Sequence, residues 1–135
     1  MEISSTQICK DMLDLLGYFK QNIARIAEER RLTSMQVAAL YMIEKHGDLP
    51  MGKVASVLHC DPSNVTGIVD RLVAHKLVNR QECPQDRRAK TISLTPAGKG
   101  VVDEMMEALP GYLGCEKLTT AERSALHSAV QKLTV

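Results

Sequence analysis

PSNVTGIVDRLVAHKLVNRQECPQDRRAKTISLT, from Pro62 to Thr95, decides the fold. On an α-helix each residue turns by about 100°, so with Ser63 at zero the side chains of Val65, Ile68, Val69, Leu72 and Val73 fall in one arc about 140° wide. Such an arc faces a core. The complementary arc, about 160° wide by the same turn angle, carries Ser63, Asn64, Thr66, Gly67, Asp70 and Arg71 without a large apolar group. Asp61 suits the N-cap and Pro62 the first helical position, which fixes the start of the helix. Its outward backbone N–H groups suit a phosphate.

Upstream, Met51 to Leu58 (MGKVASVL) has helical apolar spacing at Val54, Val57 and Leu58. The short turn of His59, Cys60 and Asp61 joins it to the next helix, giving a helix-turn-helix. Downstream of Lys76 the pattern becomes extended. Leu77 to Glu82 makes one strand, and Lys90 to Thr95 makes another with Ile92 and Leu94 alternating inward. The loop between them is a wing, and its tip, Pro84 to Lys90, holds Asp86, Arg87, Arg88 and Lys90. A connecting loop has no folding reason to carry that charge density, whereas a phosphate or minor-groove contact explains it.

At this point the sequence resembles the multiple-antibiotic-resistance regulator (MarR) family of winged-helix repressors, whose wing signature is Asp-x-Arg followed at a fixed distance by Leu-Thr. Asp86, Arg88, Leu94 and Thr95 stand in that register, with VDRL at Val69 to Leu72, LVNR at Leu77 to Arg80 and LTTAERSAL near the C-terminus extending the likeness. The resemblance implies that Arg88 enters the minor groove with Asp86 bracing its guanidinium. It also implies a homodimer, with small-molecule effectors bound between the dimer helices and the winged-helix lobe. Phe19, Met35, Tyr41, Met42, Met105 and Met106 are the residues here that would line such a cavity. Cys9 stands where the hydroperoxide-sensing branch carries its reactive cysteine, although Lys10, Asp11 and Met12 replace the aromatic-rich Cys-Phe-x-Leu-Tyr pattern of that branch.

Aromatic residues are scarce, so the core is built from Leu, Val, Ile, Ala and Met, as helical packing allows. Net charge is only +1 over 135 residues, but its distribution is uneven. From Pro50 to Thr95 seven basic residues face four acidic ones, leaving +3, while the remainder has ten against twelve, leaving −2. A nucleic-acid face on a neutral-to-acidic body has that split. Four cysteines, at positions 9, 60, 83 and 115, form no C-x-x-C pair or metal-ligand spacing, so reduced thiols and no metal site are expected. No cofactor is implied. No apolar run is long enough to span a bilayer and no signal pattern opens the chain, which points to the cytoplasm. An enzyme is disfavoured because no Ser/His/Asp arrangement, phosphate loop or carboxylate pair is visible.

The flanks read as helices. Ile8, Met12, Leu15, Leu16, Phe19, Ile23 and Ile26 make a stripe from about Ser5 to Arg31, on a helix too long for a core of this size to cover. Thr33 to Gln36 is a capping box, opening a helix that Gly47 stops, and Thr119 with Glu122 is another. Thr95 and Pro96 start the helix after the wing, which Pro110 and Gly111 are expected to break. The expected architecture is mainly α with a small β-hairpin wing: a winged helix-turn-helix over about 33–95 within one domain (1–135), dimerising through terminal helices at about 5–31 and 96–135. Two-fold pairing would set two recognition helices about 34 Å apart on double-stranded DNA.

The expected function is therefore a homodimeric repressor of a pseudo-palindromic operator, relieved by a small-molecule ligand or oxidant. Ser63, Asn64 and Thr66 are the candidates for base edges or nearby phosphates, Arg71 for the backbone, and Asp86, Arg87, Arg88 and Lys90 for the wing contact. Cys9 is the candidate redox residue. The alternatives are a winged-helix protein-interaction module without DNA binding, and a thiol-based redox-sensing regulator.

Overall fold

The computed structural model describes residues 2–134, with the side chains of Cys83, Arg87 and Arg88 outside the described residues. The elements run α1 (Ser5–Glu29), α2 (Ser34–His46), β1 (Leu49–Pro50), α3 (Met51–Leu58), α4 (Pro62–Ala74), β2 (Val78–Cys83), β3 (Asp86–Leu94), α5 (Pro96–Tyr112) and α6 (Thr120–Leu133), with one 3-10 turn at Cys115–Lys117 before α6. No helix among them is long and apolar enough to cross a membrane.

Side-chain caps start most of the helices. Ser4 Oγ accepts from the Gln7 N–H at 3.1 Å. In the boxes that open α2 and α6, Thr33 and Thr119 accept from the N–H groups of Gln36 and Glu122, whose side chains accept in return from the threonine N–H groups. Gly47 ends α2 in a positive-φ conformation. Unlike the sequence expectation, α5 runs through Pro110 to Tyr112. A proline removes one helical hydrogen bond, but Pro110 is exposed, so the Met106 carbonyl it leaves without a helical donor lies where water can reach it.

The sheet has the antiparallel order β1-β3-β2. Leu49 and Pro50, whose pairing no periodicity announces, stand opposite Ile92 and Thr91. Strand β3 begins at Asp86, so the loop expected over Pro84–Lys90 shrinks to a two-residue turn at Pro84 and Gln85. The charged tip survives in another form. The ladder runs from Val78 opposite Leu94 to Glu82 opposite Lys90, then slips, with Cys83 opposite Asp86. Arg87, Arg88 and Ala89 are thereby left as a bulge with no partners on β2.

One cluster of buried side chains holds α1 to α5 and the sheet together. Ile26 of α1, Leu40 and Ile43 of α2, Leu72 of α4 and Ile92 of β3 are at most 2% exposed. Val65, Val69 and Leu72 turn the expected face of α4 into this core, with Ile68 half-buried. Val73, at the edge of the arc, is exposed.

Candidate nucleic-acid interface

The recognition helix starts as its sequence requires, yet its N-terminus is not free to hold an anion. Asp61 Oδ1 accepts from the Ser63 N–H at 3.0 Å, and the Asn64 N–H bonds the Asp61 carbonyl at 2.9 Å. Pro62 has no N–H. The first three residues of α4 thus offer no spare backbone donor, and the Asp61 carboxyl that caps them is held below its usual pKa by the Ser63 backbone N–H and then by the Ser63 side chain. The phosphate seat expected there is already filled by the protein's own carboxylate.

The side chains of the outer face are available. Ser63, Asn64, Thr66, Gly67, Asp70 and Arg71 are all exposed. Ser63, Asn64 and Arg71 open on a groove of about 370 Å³ between α4 and the start of α2, where Gln36 and Cys60 also lie. Thr66 faces the other flank, a shallower groove against α3 lined by Met51, Gly52 and Ala55. Helix α4 therefore stands as a ridge with candidate side chains on both slopes, a form that fits a major groove.

The C-terminal end of α4 is tied to both the wing and α5. Lys76 takes a left-handed conformation, φ 59°, and the Leu77 N–H returns to the Leu72 carbonyl at 3.0 Å. Thr95 Oγ1 donates to the Lys76 carbonyl at 2.7 Å and accepts from the Gly98 N–H at 3.0 Å. The threonine of the wing signature is thus a joint between the turn after α4 and the start of α5. Arg80, from the LVNR stretch, pairs with Asp70 across α4 and β2. Sequence reading put Asp70 on the outer arc but missed the pair. Alternation along β2 was the available signal, since an inward Val78 makes Arg80 inward too.

On the wing, Asp86 and Lys90 are exposed, and neither lines either groove beside α4. The side chains of Arg87 and Arg88 lie outside the described residues; their backbone forms the bulge. Cys9 is an exposed free thiol one turn into α1 and is not brought to the DNA-facing elements, while Cys60 and Cys115 are half-buried free thiols.

A separate apolar cavity of about 380 Å³ lies between α1, α2 and α5. Phe19, Tyr41, Met105 and Met106 line it, and Met35 lines an adjoining pocket with Lys20 and Ser34. Met42, expected with them, is half-buried and lines neither.

Comparison with known proteins matches this arrangement. The model of the MarR family matches residues 32–90, which run from the start of α2 to the wing. The chain is 30% identical over 107 residues to the HTH-type transcriptional repressor MdtR of Bacillus subtilis, covering 76% of this chain and 69% of that one. Among solved structures, RV1404 of Mycobacterium tuberculosis superposes with a TM-score of 0.75 at 28% identity, covering 99% of this chain and 94% of its own. Bordetella bronchiseptica BpsR, whose DNA binding is regulated by 6-hydroxynicotinic acid, superposes with a TM-score of 0.72 at 24% identity over 99% and 97%.

Proposed function

The chain belongs to the MarR family of transcriptional regulators, and on that premise we propose that it is a homodimeric, sequence-specific repressor of a pseudo-palindromic operator, released by a small-molecule ligand. The observation that carries the reading is the polar outer face of α4, exposed along its whole length beside a charged wing. Ser63, Asn64 and Thr66 read base edges. Asn64, with both a donor and an acceptor, is the natural partner of an adenine edge. Arg71, Arg87 and Lys90 meet phosphates, and Arg88, steadied by Asp86, enters the minor groove.

What α1 and α6 leave uncovered supports dimerisation. The stripe of α1 is buried at Ile26, but the same stripe continues toward the N-terminus through Phe19, Leu16, Leu15, Met12 and Ile8, all exposed. Leu126, Val130 and Leu133 are exposed on α6, which buries none of its residues. An apolar row continuous with the core and open to water favours a second copy that covers it.

Release uses the apolar cavity. It is walled by α1, whose N-terminal half belongs to the dimer stripe, and by α2 and α5, which carry the winged-helix lobe. A ligand that fits it in only one arrangement of those helices shifts the spacing of the two recognition helices by differential affinity. Selection of duplexes from a random pool tests the reading. The expected product is a pseudo-palindrome with half-sites about 10 bp apart. A folded dimer that enriches no sequence would instead make the chain a protein-interaction module.

A further inference from the structure

We propose, resting on the reading that α4 and the wing bind DNA, that Asp70 and Arg80 form a positioning pair that fixes the wing relative to the recognition helix, so that selectivity depends on a contact touching no base. Arg80 stands opposite Ile92 in the β2–β3 ladder. Directly opposed residues of an antiparallel pair project to one face of the sheet. Arg80 therefore shares the inner face with Ile92 and, two residues back, with Val78, both buried. A guanidinium on that face must leave the core at its edge. It does so toward α4, where Nη2 donates to the Asp70 carboxylate while Nε stays buried without a hydrogen-bond partner. Removing the carboxylate would leave a half-buried cation uncompensated, so the geometry depends on both partners.

The location gives the pair its leverage. Strand β1 supports β3 only at Ile92 and Thr91. Beyond them the wing is a two-stranded ribbon, a structure that is marginal in water on its own. Arg80, opposite Ile92, clamps this ribbon within one rung of the place where the third strand stops. The other end of the clamp is on the DNA-facing stripe, since Asp70 lies seven residues after Ser63, two turns along and about 10 Å further down the axis.

A carboxylate on that stripe repels phosphates, so on charge alone α4 would bind any duplex more tightly without it. The Asp70 carboxylate thus weakens binding to every sequence, while its pairing with Arg80 holds the wing where only a matching duplex meets both elements. The two effects separate experimentally.

The full chain is titrated against two duplexes, one recovered by selection and one of the same composition in shuffled order. Wild type, Asp70→Asn, Arg80→Gln and the double variant are compared, each shown by circular dichroism to be folded. Asp70→Asn should bind the shuffled duplex more tightly and lose roughly tenfold or more in the ratio of selected to shuffled affinity. The double variant should lose no more of that ratio than either single variant, because one clamp is lost only once. If Asp70→Asn fails to fold, Arg80→Gln, which removes the cation and leaves the carboxylate in place, carries the same expectation for the ratio. Tightening of both duplexes by one factor would reduce Asp70 to a repulsive charge and overturn the proposal, as would additive losses from the two single variants. A wild type with equal affinity for both duplexes would remove the sequence-specific reading on which the proposal rests, and the positioning pair with it.

Discussion

Replacing Gly98 with alanine reverses the usual sense of such a change in a helix. Gly98 is the third residue of α5, buried against the end of the recognition helix's return turn. A Cβ there would lie 2.0 Å from the Leu77 carbonyl oxygen, 3.0 Å from its carbon and 3.2 Å from Leu94 Cδ2. The first contact is with backbone, so α5 or the chain at Leu77 has to move by more than an ångström. The same carbonyl accepts from the Thr95 N–H at 3.1 Å, and Thr95 in turn holds the Lys76 carbonyl and caps α5.

Overpacking of this kind costs about 1–3 kcal/mol, and a strained or broken hydrogen bond adds about 0.5–1.5. The better helix propensity of alanine returns up to about 1 kcal/mol. The expected net loss is about 2 kcal/mol, a fall in Tm of roughly 6–10 °C for a chain of this size. Thermal and urea unfolding at one fixed protomer concentration measure it, because a dimer's midpoint moves with concentration. Gly100 is the internal control, since a Cβ there meets nothing within 4 Å. Gly100→Ala should gain about 0.5–1 kcal/mol. Equal or higher stability of Gly98→Ala than wild type would refute the packing argument.

Lys76 occupies a left-handed conformation with its side chain exposed, so Lys76→Gly should stabilise by about 0.5–1 kcal/mol in urea unfolding, and a loss would show that the lysine contributes more than its backbone strain. The carboxyls of Asp61 and Glu122 are held low by the backbone N–H groups of Ser63 and Thr119 and then by those residues' side chains. A depressed folded pKa adds stability above the unfolded value and loses it as pH falls through the folded one. Asp61→Asn and Glu122→Gln should therefore flatten the decline in stability below about pH 5, and an unchanged slope would rule out titrating caps. Met12→Glu places a charge in the exposed α1 stripe, so sedimentation should find monomers at concentrations where wild type is a dimer; a variant that remains dimeric would move the interface elsewhere.

Local signals in the sequence were enough for α4, because its apolar arc and its Asp61-Pro62 start are set by residues within one helix. The same holds for the two capping boxes. Strand β1 was not legible, since two residues have no periodicity and Leu49 and Pro50 become a strand only by lying against β3. The path of α5 through Pro110 depended on exposure, which a sequence does not state. The slip in the β2–β3 ladder is set by how a tight turn at Pro84 and Gln85 closes, so the charged tip was placed correctly in sequence but as a loop instead of a bulge. The Asp70–Arg80 pair joins two elements through the fold, and Asp70 alone read as part of a DNA-facing arc.

Dimethyl sulfate footprinting on a duplex obtained by selection tests the central claim most directly, because the reagent reports guanine N7 in the major groove and adenine N3 in the minor groove. With wild-type protein, guanines should be protected in two segments about 10 bp apart, and adenines in the minor groove beside each segment. With Arg88→Ala the adenine protection should disappear while the guanine pattern weakens but keeps its positions. A single protected segment, or adenine protection unchanged by Arg88→Ala, would contradict a two-fold dimer that reads the major groove with α4 and the minor groove with its wing.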